Sequence, residues 1–275
     1  ILEAIRALPG RQIAVAGAET DVCIMQSVLA LLRLGYEVFL LEDCLYTTEP
    51  QPRPALDRMY RSGAIPITFK SFAYELAVII HDGLRRMFVE RESVYYYVTV
   101  MNENYVQPGM PDGVEDGIIK GMYLYRQGSR KKKRVQLLGS GTILREVIAA
   151  AALLDDEWNV AADVWSVTSF TELRREAIDV ERWNMLHPMD EPRVAYVSET
   201  LANHKGPLIA ATDYMRSFPE QIRPYVGDRR YLTLGTDGFG RSDMRSQLRK
   251  FFEVNRHYVV VAALKALADA GDVDS

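Results

Sequence analysis

The sequence predicts an α/β protein built on parallel or mostly parallel sheets with helices on both faces, and three observations carry that expectation. Strand-like and helix-like stretches alternate along almost the whole chain. Turn chemistry stands where the periodicity changes, as in Leu8-Pro9-Gly10 and Leu34-Gly35. The repeated β-α-β-α order is the pattern of parallel strands joined by crossover helices.

The elements follow in order. Residues 1–8 read as a helix, 12–15 as a strand, 21–34 as a helix introduced by the N-cap chemistry of Thr20-Asp21, and 37–41 as a strand. The Pro-rich stretch 49–54 reads as a loop, 55–62 as a helix, 65–69 as a short strand and 74–88 as an amphipathic helix. Tyr95, Tyr96, Tyr97 and the neighbouring valines predict an inner strand over 94–101. Residues 102–112, with Pro108, Gly109 and Pro111, break the pattern and read as a linker. Beyond it the expectation is helix 114–126, strand 134–138, helix 143–155, strand 163–167 and helix 170–183. Strands 208–211 and 231–234 and helices 245–252 and 258–270 complete it.

Composition sets limits on function. A net charge of -4 and 48% hydrophobic residues describe an ordinary globular chain with no global attraction to nucleic acid or an anionic membrane. No apolar run has the roughly 18 residues a membrane span needs, since 74–80 gives way to His81, Asp82, Arg85 and Arg86. Ile1 with Glu3 and Arg6 is unlike a secretory leader, and a native start upstream of Ile1 is expected. Cys23 and Cys44 are too few for a disulfide framework and lack metal-type spacing, so a reducing cytoplasm is the expected location. His81, His187, His204 and His257 are dispersed, without the helical-turn spacing of a metal pair.

Val15-Ala16-Gly17-Ala18-Glu19-Thr20-Asp21-Val22-Cys23, followed by Leu34-Gly35-Tyr36-Glu37-Val38, resembles the isochorismatase-like cysteine hydrolases over about residues 1–75. The resemblance implies that Cys23 is the nucleophile of that segment. A position just after a helix start would favour its thiolate. The family's assisting aspartate and lysine come from an earlier part of its fold, which leaves Cys23 an orphaned nucleophile. The alternative is a small buried or half-buried structural cysteine.

From Phe72 onward the sequence resembles the homodimeric-type pyruvate dehydrogenases (acetyl-transferring). The runs that carry this include His81-Asp82-Gly83-Leu84-Arg85-Arg86-Met87, Gln136-Leu137-Leu138-Gly139-Ser140-Gly141-Thr142, Glu181-Arg182-Trp183-Asn184-Met185-Leu186-His187-Pro188 and Gly235-Thr236-Asp237-Gly238-Phe239-Gly240-Arg241-Ser242-Asp243. The implied organisation is an isochorismatase-like segment at 1–71, the end of a pyrimidine-binding middle domain at 72–109 and a transketolase-like C-terminal domain at 110–275. The implied cofactors are thiamine diphosphate and magnesium. The implied partners are a second copy in a homodimer and the lipoyl-bearing acetyltransferase component. The family's Gly-Asp-Gly motif does not occur in this sequence, so no cofactor-binding or metal residue is assigned and the chain is expected to be inactive alone. The two resemblances meet at Tyr74-Glu75-Leu76, which suits both and is read as a fusion of unrelated fragments. A cysteine hydrolase and a non-catalytic dimerisation module stand as alternatives.

Three further features were weighed. Gly139-Ser140-Gly141-Thr142 between a strand and a helix predicts a tight turn with close helix packing, because Leu144 stands where a third glycine of a dinucleotide fingerprint belongs. The basic run Arg130-Lys131-Lys132-Lys133-Arg134 reads as a solvated linker. Glu172, Glu176 and Glu181 among Arg174, Arg175 and Arg182 read as ion pairing at a subunit contact.

Overall fold

A computed structural model describes residues 12–67, 69–99 and 109–273. The helix expected at 1–8 lies outside the described residues. The chain forms two compact units, Ile1–Ile80 and His81–Ser275.

The first unit holds a parallel sheet of β1 (Gln12–Ala18), β2 (Glu37–Tyr46) and β3 (Ile65–Ile67), in that order. A π-helical turn at Thr20–Ile24 leads into α1 (Met25–Arg33), and α2 is Arg53–Arg61. Ile24 at the end of the π-helical turn and Val28 and Leu31 of α1, spaced about one helical turn apart, meet Val38 and Leu40 of β2 in this unit's core. The expected strand 65–69 is shorter, because Phe69 already belongs to α3 (Phe69–Leu84). The helix expected at 74–88 ends as a π-helical turn at Arg85–Val89.

The second unit carries α4 (Glu115–Lys120), β4 (Met122–Arg126), β5 (Arg134–Ser140), α5 (Ile143–Trp158), β6 (Ala161–Val167) and α6 (Phe170–Leu186). It continues with α7 (Tyr196–Leu201), β7 (Leu208–Met215), α8 (Ser217–Glu220), β8 (Tyr231–Thr236), α9 (Arg245–Phe251) and α10 (Arg256–Asp269). Its five strands run in the order β4-β6-β5-β7-β8, parallel except for β4 against β6.

The centre of this sheet is buried on both faces, as doubly covered strands require. Val135 and Leu137 of β5 face α5 and α10, in a cluster with Val147, Leu154, Val259 and Ala263. Leu138 joins Trp165, Phe170, Leu173 and Leu201 on the opposite face. Ser169 caps α6 by accepting the Glu172 backbone N–H, a contact worth ~1 kcal/mol.

Two expected elements are corrected. The helix expected at 114–126 stops at Lys120, because Gly121 adopts a left-handed φ of 105° and the chain turns into strand β4. The inner strand expected at 94–101 forms no ladder over its described part, 94–99. Tyr95 and Tyr97 are 87% and 84% exposed instead. β-Propensity measures fit to a sheet neighbour, and among the described residues none lies beside this segment.

Candidate functional site

In the first unit Cys23 lies inside the π-helical turn that follows β1, and it is exposed. The buried-cysteine reading is therefore corrected: the thiol reaches solvent. Its surroundings are built by acceptors. Thr47 Oγ1 donates to Asp21 Oδ1 at 2.5 Å, and Glu19 Oε2 accepts the Thr48 backbone N–H at 2.8 Å. That backbone N–H, with the Thr47 and Thr48 hydroxyls, holds the Glu19 carboxyl below its ordinary range. Among the described residues no hydrogen bond or ion pair joins Cys23 to an acid or a base. Cys44 lies in β2.

In the second unit the chain leaves β5 toward β6 on one side and returns to β7 on the other, which makes the carboxyl ends of β5 and β7 a topological switch point. The Gly139-Ser140-Gly141-Thr142 turn sits there. A Cβ at Gly139 would stand 2.7 Å from Leu144 Cα, so the glycine is required by close helix packing, as its sequence context predicts. Asp213 at the end of β7 faces Gly141, with Oδ1 3.8 Å from where a Cβ would be. Crowding by the surrounding structure raises the Asp213 carboxyl above its usual range against the pull of Arg249 and Arg245, although the residue as a whole stays exposed.

The charged groups around this edge are engaged with one another. Arg249 Nη2 donates to Thr142 Oγ1 at 2.9 Å, and Glu146 Oε2 accepts from both Nε and the backbone N of Arg256. Arg216 pairs with Asp237 at 2.9 Å in the loop 235–240. Two members of the basic run are likewise committed: Lys131 pairs with Asp155, and Arg134 with Asp163.

The interior strands β5 and β6 carry, toward their amino-terminal ends, a polar network that sequence reasoning missed. Asp163 of β6, 1% exposed, accepts from the Gly128 backbone N–H at 2.8 Å, from Gln136 Nε2 at 2.9 Å and from the Arg134 guanidinium. Trp165 Nε1 donates to Gln136 Oε1 at 2.8 Å, and His204 Nδ1 lies 3.3 Å from Asp163 Oδ2. Burial opposes ionisation of Asp163, yet its donors prevail and hold the carboxyl below its ordinary range. No periodicity marks these residues, since the contacts join strands across the sheet.

On the outside of α6, an open groove of about 610 Å³ is lined by Arg86, Glu176, Trp183, His187 and Arg193 among others. Its walls pack on themselves. The Arg193 guanidinium sits 3.9 Å from the Trp183 ring centre, and His187 stacks on that ring at 4.4 Å. Arg175 pairs with Glu172, while Glu176 accepts the Tyr196 backbone N–H at 3.0 Å. Glu172, Arg175 and Glu176 of the charge pattern on α6 thus make contacts within the unit.

Among the described residues no three His, Cys, Asp or Glu side chains converge in a way that could hold a metal ion. No helix among them is long and apolar enough to cross a membrane.

Comparison with known proteins places these units. Three family models match: the isochorismatase domain over residues 1–71, the pyruvate dehydrogenase E1 component middle domain over 64–108 and the transketolase-like C-terminal domain over 121–255. The pyruvate dehydrogenase E1 component of Cupriavidus necator is 62% identical over 205 residues, which are 74% of this chain and 23% of that protein. Its Escherichia coli K12 counterpart is 55% identical over the same shares. The chain therefore spans about a quarter of the length of the curated relatives it matches. A transketolase structure from Pichia stipitis aligns with 60% of this chain and 20% of its own, at 16% identity and a TM-score of 0.39.

Proposed function

We propose, from the likeness of its C-terminal three quarters to pyruvate dehydrogenase E1 components, that this chain is a C-terminal portion of the thiamine-diphosphate-dependent decarboxylating component of a pyruvate dehydrogenase complex. The identity of 62% over 205 residues carries this reading. The whole enzyme's reaction, decarboxylation of pyruvate and passage of the acetyl group to a lipoyl carrier, requires thiamine diphosphate and magnesium. This chain contributes scaffold and subunit contact to it.

The domain division that goes with this reading is 1–71, 72–109 and 110–275. The segment 1–71 is an isochorismatase-like piece fused to an unrelated partner, and Cys23 is its orphaned nucleophile. A homodimer, a lipoyl-bearing acetyltransferase partner and a cytoplasmic location belong to the same proposal. What supports a scaffold role is the state of the polar groups around the switch point. Glu146, Arg249, Arg256 and Thr142 bind one another rather than aiming at open space.

Calorimetric titration of the purified, folded chain with thiamine diphosphate and magnesium tests the reading. No heat of binding is expected. Saturable micromolar binding would overturn the scaffold role. A hydrolase role for the first segment would instead appear as turnover of small amides that Cys23→Ala abolishes.

A further inference from the structure

Between the end of α7 and the segment that leads into β8, the second unit has an open cleft of about 370 Å³. Leu201 and Val226, both members of the buried apolar cluster on that face of the sheet, wall it together with Ala202, Pro224 and Tyr225. Arg229 is the one charged side chain among the described residues that line it. The cleft lies toward the amino-terminal ends of β7 and β8, away from the switch point.

Arg229 is half-buried. Its Nη2 donates to the Leu201 carbonyl at 2.5 Å and its Nη1 to the His204 carbonyl, acceptors that the end of α7 and the turn after it leave open. Those two bonds use two of the five N–H groups of a guanidinium. Among the described residues Arg229 makes no further hydrogen bond and no ion pair, and the adjacent Asp228 is exposed and does not pair with it. Burial pushes the guanidinium pKa down, with no carboxylate opposing it. The other polar groups of the wall are engaged: Ser198 Oγ donates to the Tyr225 carbonyl at 2.7 Å, and the Tyr225 hydroxyl donates to Glu181 Oε2 at 3.1 Å.

A partly desolvated cation without a counter-charge is costly, and an anion seated against it removes that cost. Apolar walls around one placed polar anchor, at this volume, are the make-up of a small-molecule site. The planar guanidinium matches the two oxygens of a carboxylate, while the walls match an apolar chain attached to it. Free phosphate is more strongly hydrated and gains nothing from those walls.

We propose that this cleft binds a small monocarboxylate with a short apolar chain, the carboxylate on Arg229 and the chain against Leu201, Pro224 and Val226.

A ligand-observed NMR titration of the full chain with hexanoate tests this, with hexan-1-ol and inorganic phosphate as comparison ligands. Saturable hexanoate binding is expected, about tenfold or more tighter than either of the other two. Arg229→Gln should weaken hexanoate by about tenfold or more and leave hexan-1-ol unchanged. Because Arg229 also holds the end of α7, a second variant keeps it in place: Ala202→Phe fills the cleft from its exposed rim and should abolish hexanoate binding without touching the charge. Four results would overturn the proposal: hexanoate binding no tighter than hexan-1-ol, phosphate binding tighter than hexanoate, hexanoate binding that Ala202→Phe leaves intact, or no saturation up to about 10 mM.

Discussion

Glu146 Oε2 accepts both the backbone N–H and the Nε–H of Arg256, each at 2.9 Å, across 110 residues of sequence. One carboxylate thereby satisfies an unpaired amide at the start of α10 and ties that helix to α5, over which the largest apolar cluster is built. Burial works against the charge, but the contacts with Arg256 hold the carboxyl below its usual range. Glu146→Ala removes the acceptor and leaves a helix-start amide without a partner. Because Arg256 keeps 45% of its side chain in solvent, the cost is about 1–3 kcal/mol rather than that of a fully buried pair. A urea titration at neutral pH measures it, and an unchanged midpoint would mean the contact contributes nothing.

Gly139→Ala tests the turn at the switch point. Its Cβ would meet Leu144 Cα at 2.7 Å and Val147 Cγ2 at 3.1 Å, so α5 must shift away from β5. Overpacking of this kind costs ~1–3 kcal/mol. The expected outcome is a lowered melting temperature with the same circular dichroism spectrum. Full stability in the alanine variant would show that the helix has room to move.

That turn was legible because its chemistry is local: a strand, two glycines and a helix start within a few residues. The helix expected at 114–126 failed for a reason of the same range, since Gly121 ends it and the residues beyond it pair as β4 against β6. The strand expected at 94–101 shows the other kind of failure. Its residues have strand propensity, but a ladder depends on a neighbour that no local pattern reports, and 94–99 lie in no ladder. Asp163, Gln136, Trp165 and His204 were invisible for the same reason. The hydrogen bonds Asp163 makes with Gln136 and His204 span 27 and 41 residues, and they form because β5 pairs with β6 and because the turn before β7 brings His204 to Asp163. Cys23 was found by motif, while its exposure required coordinates.

Trp165→Phe isolates one bond of that network. The indole N–H is the donor to Gln136 Oε1, and Gln136 is fully buried. Phenylalanine keeps most of the apolar contact with Leu138 and Phe170 but leaves the amide oxygen without this donor. A buried acceptor stripped of its partner costs about 1–3 kcal/mol. Replacing Gln136 by Leu removes the stranded oxygen but also the amide donor to Asp163 and to the Lys205 carbonyl, so the double variant should be less stable than Trp165→Phe alone yet lose less than the sum of the two single variants. Chemical denaturation of the two single variants and the double one gives the coupling directly, and strict additivity would deny that the bond matters.

Acid should weaken the fold through its buried carboxylates. Asp163 and Asp82 are 1% and 2% exposed, and their pKa values lie below the ordinary aspartate range. In each case burial favours the neutral form, but hydrogen bonds from Gly128 and Gln136 to Asp163, and from Tyr96 and Arg85 to Asp82, favour the carboxylate more strongly. A carboxyl whose pKa falls on folding adds stability above its unfolded pKa, and that contribution is lost as the pH drops through the depressed folded value. The window therefore opens near the unfolded aspartate value of about 4 and extends downward. Urea midpoints should be flat from neutral pH to about 5 and then fall steeply. Asp163→Asn should be destabilised at neutral pH by ~3 kcal/mol, since one amide cannot serve all the donors that converge there. It should also show a shallower decline in acid than the parent chain. A variant that loses stability at neutral pH yet keeps the full acid slope would shift the acid sensitivity to other carboxylates, with Asp82→Asn as the next substitution to measure.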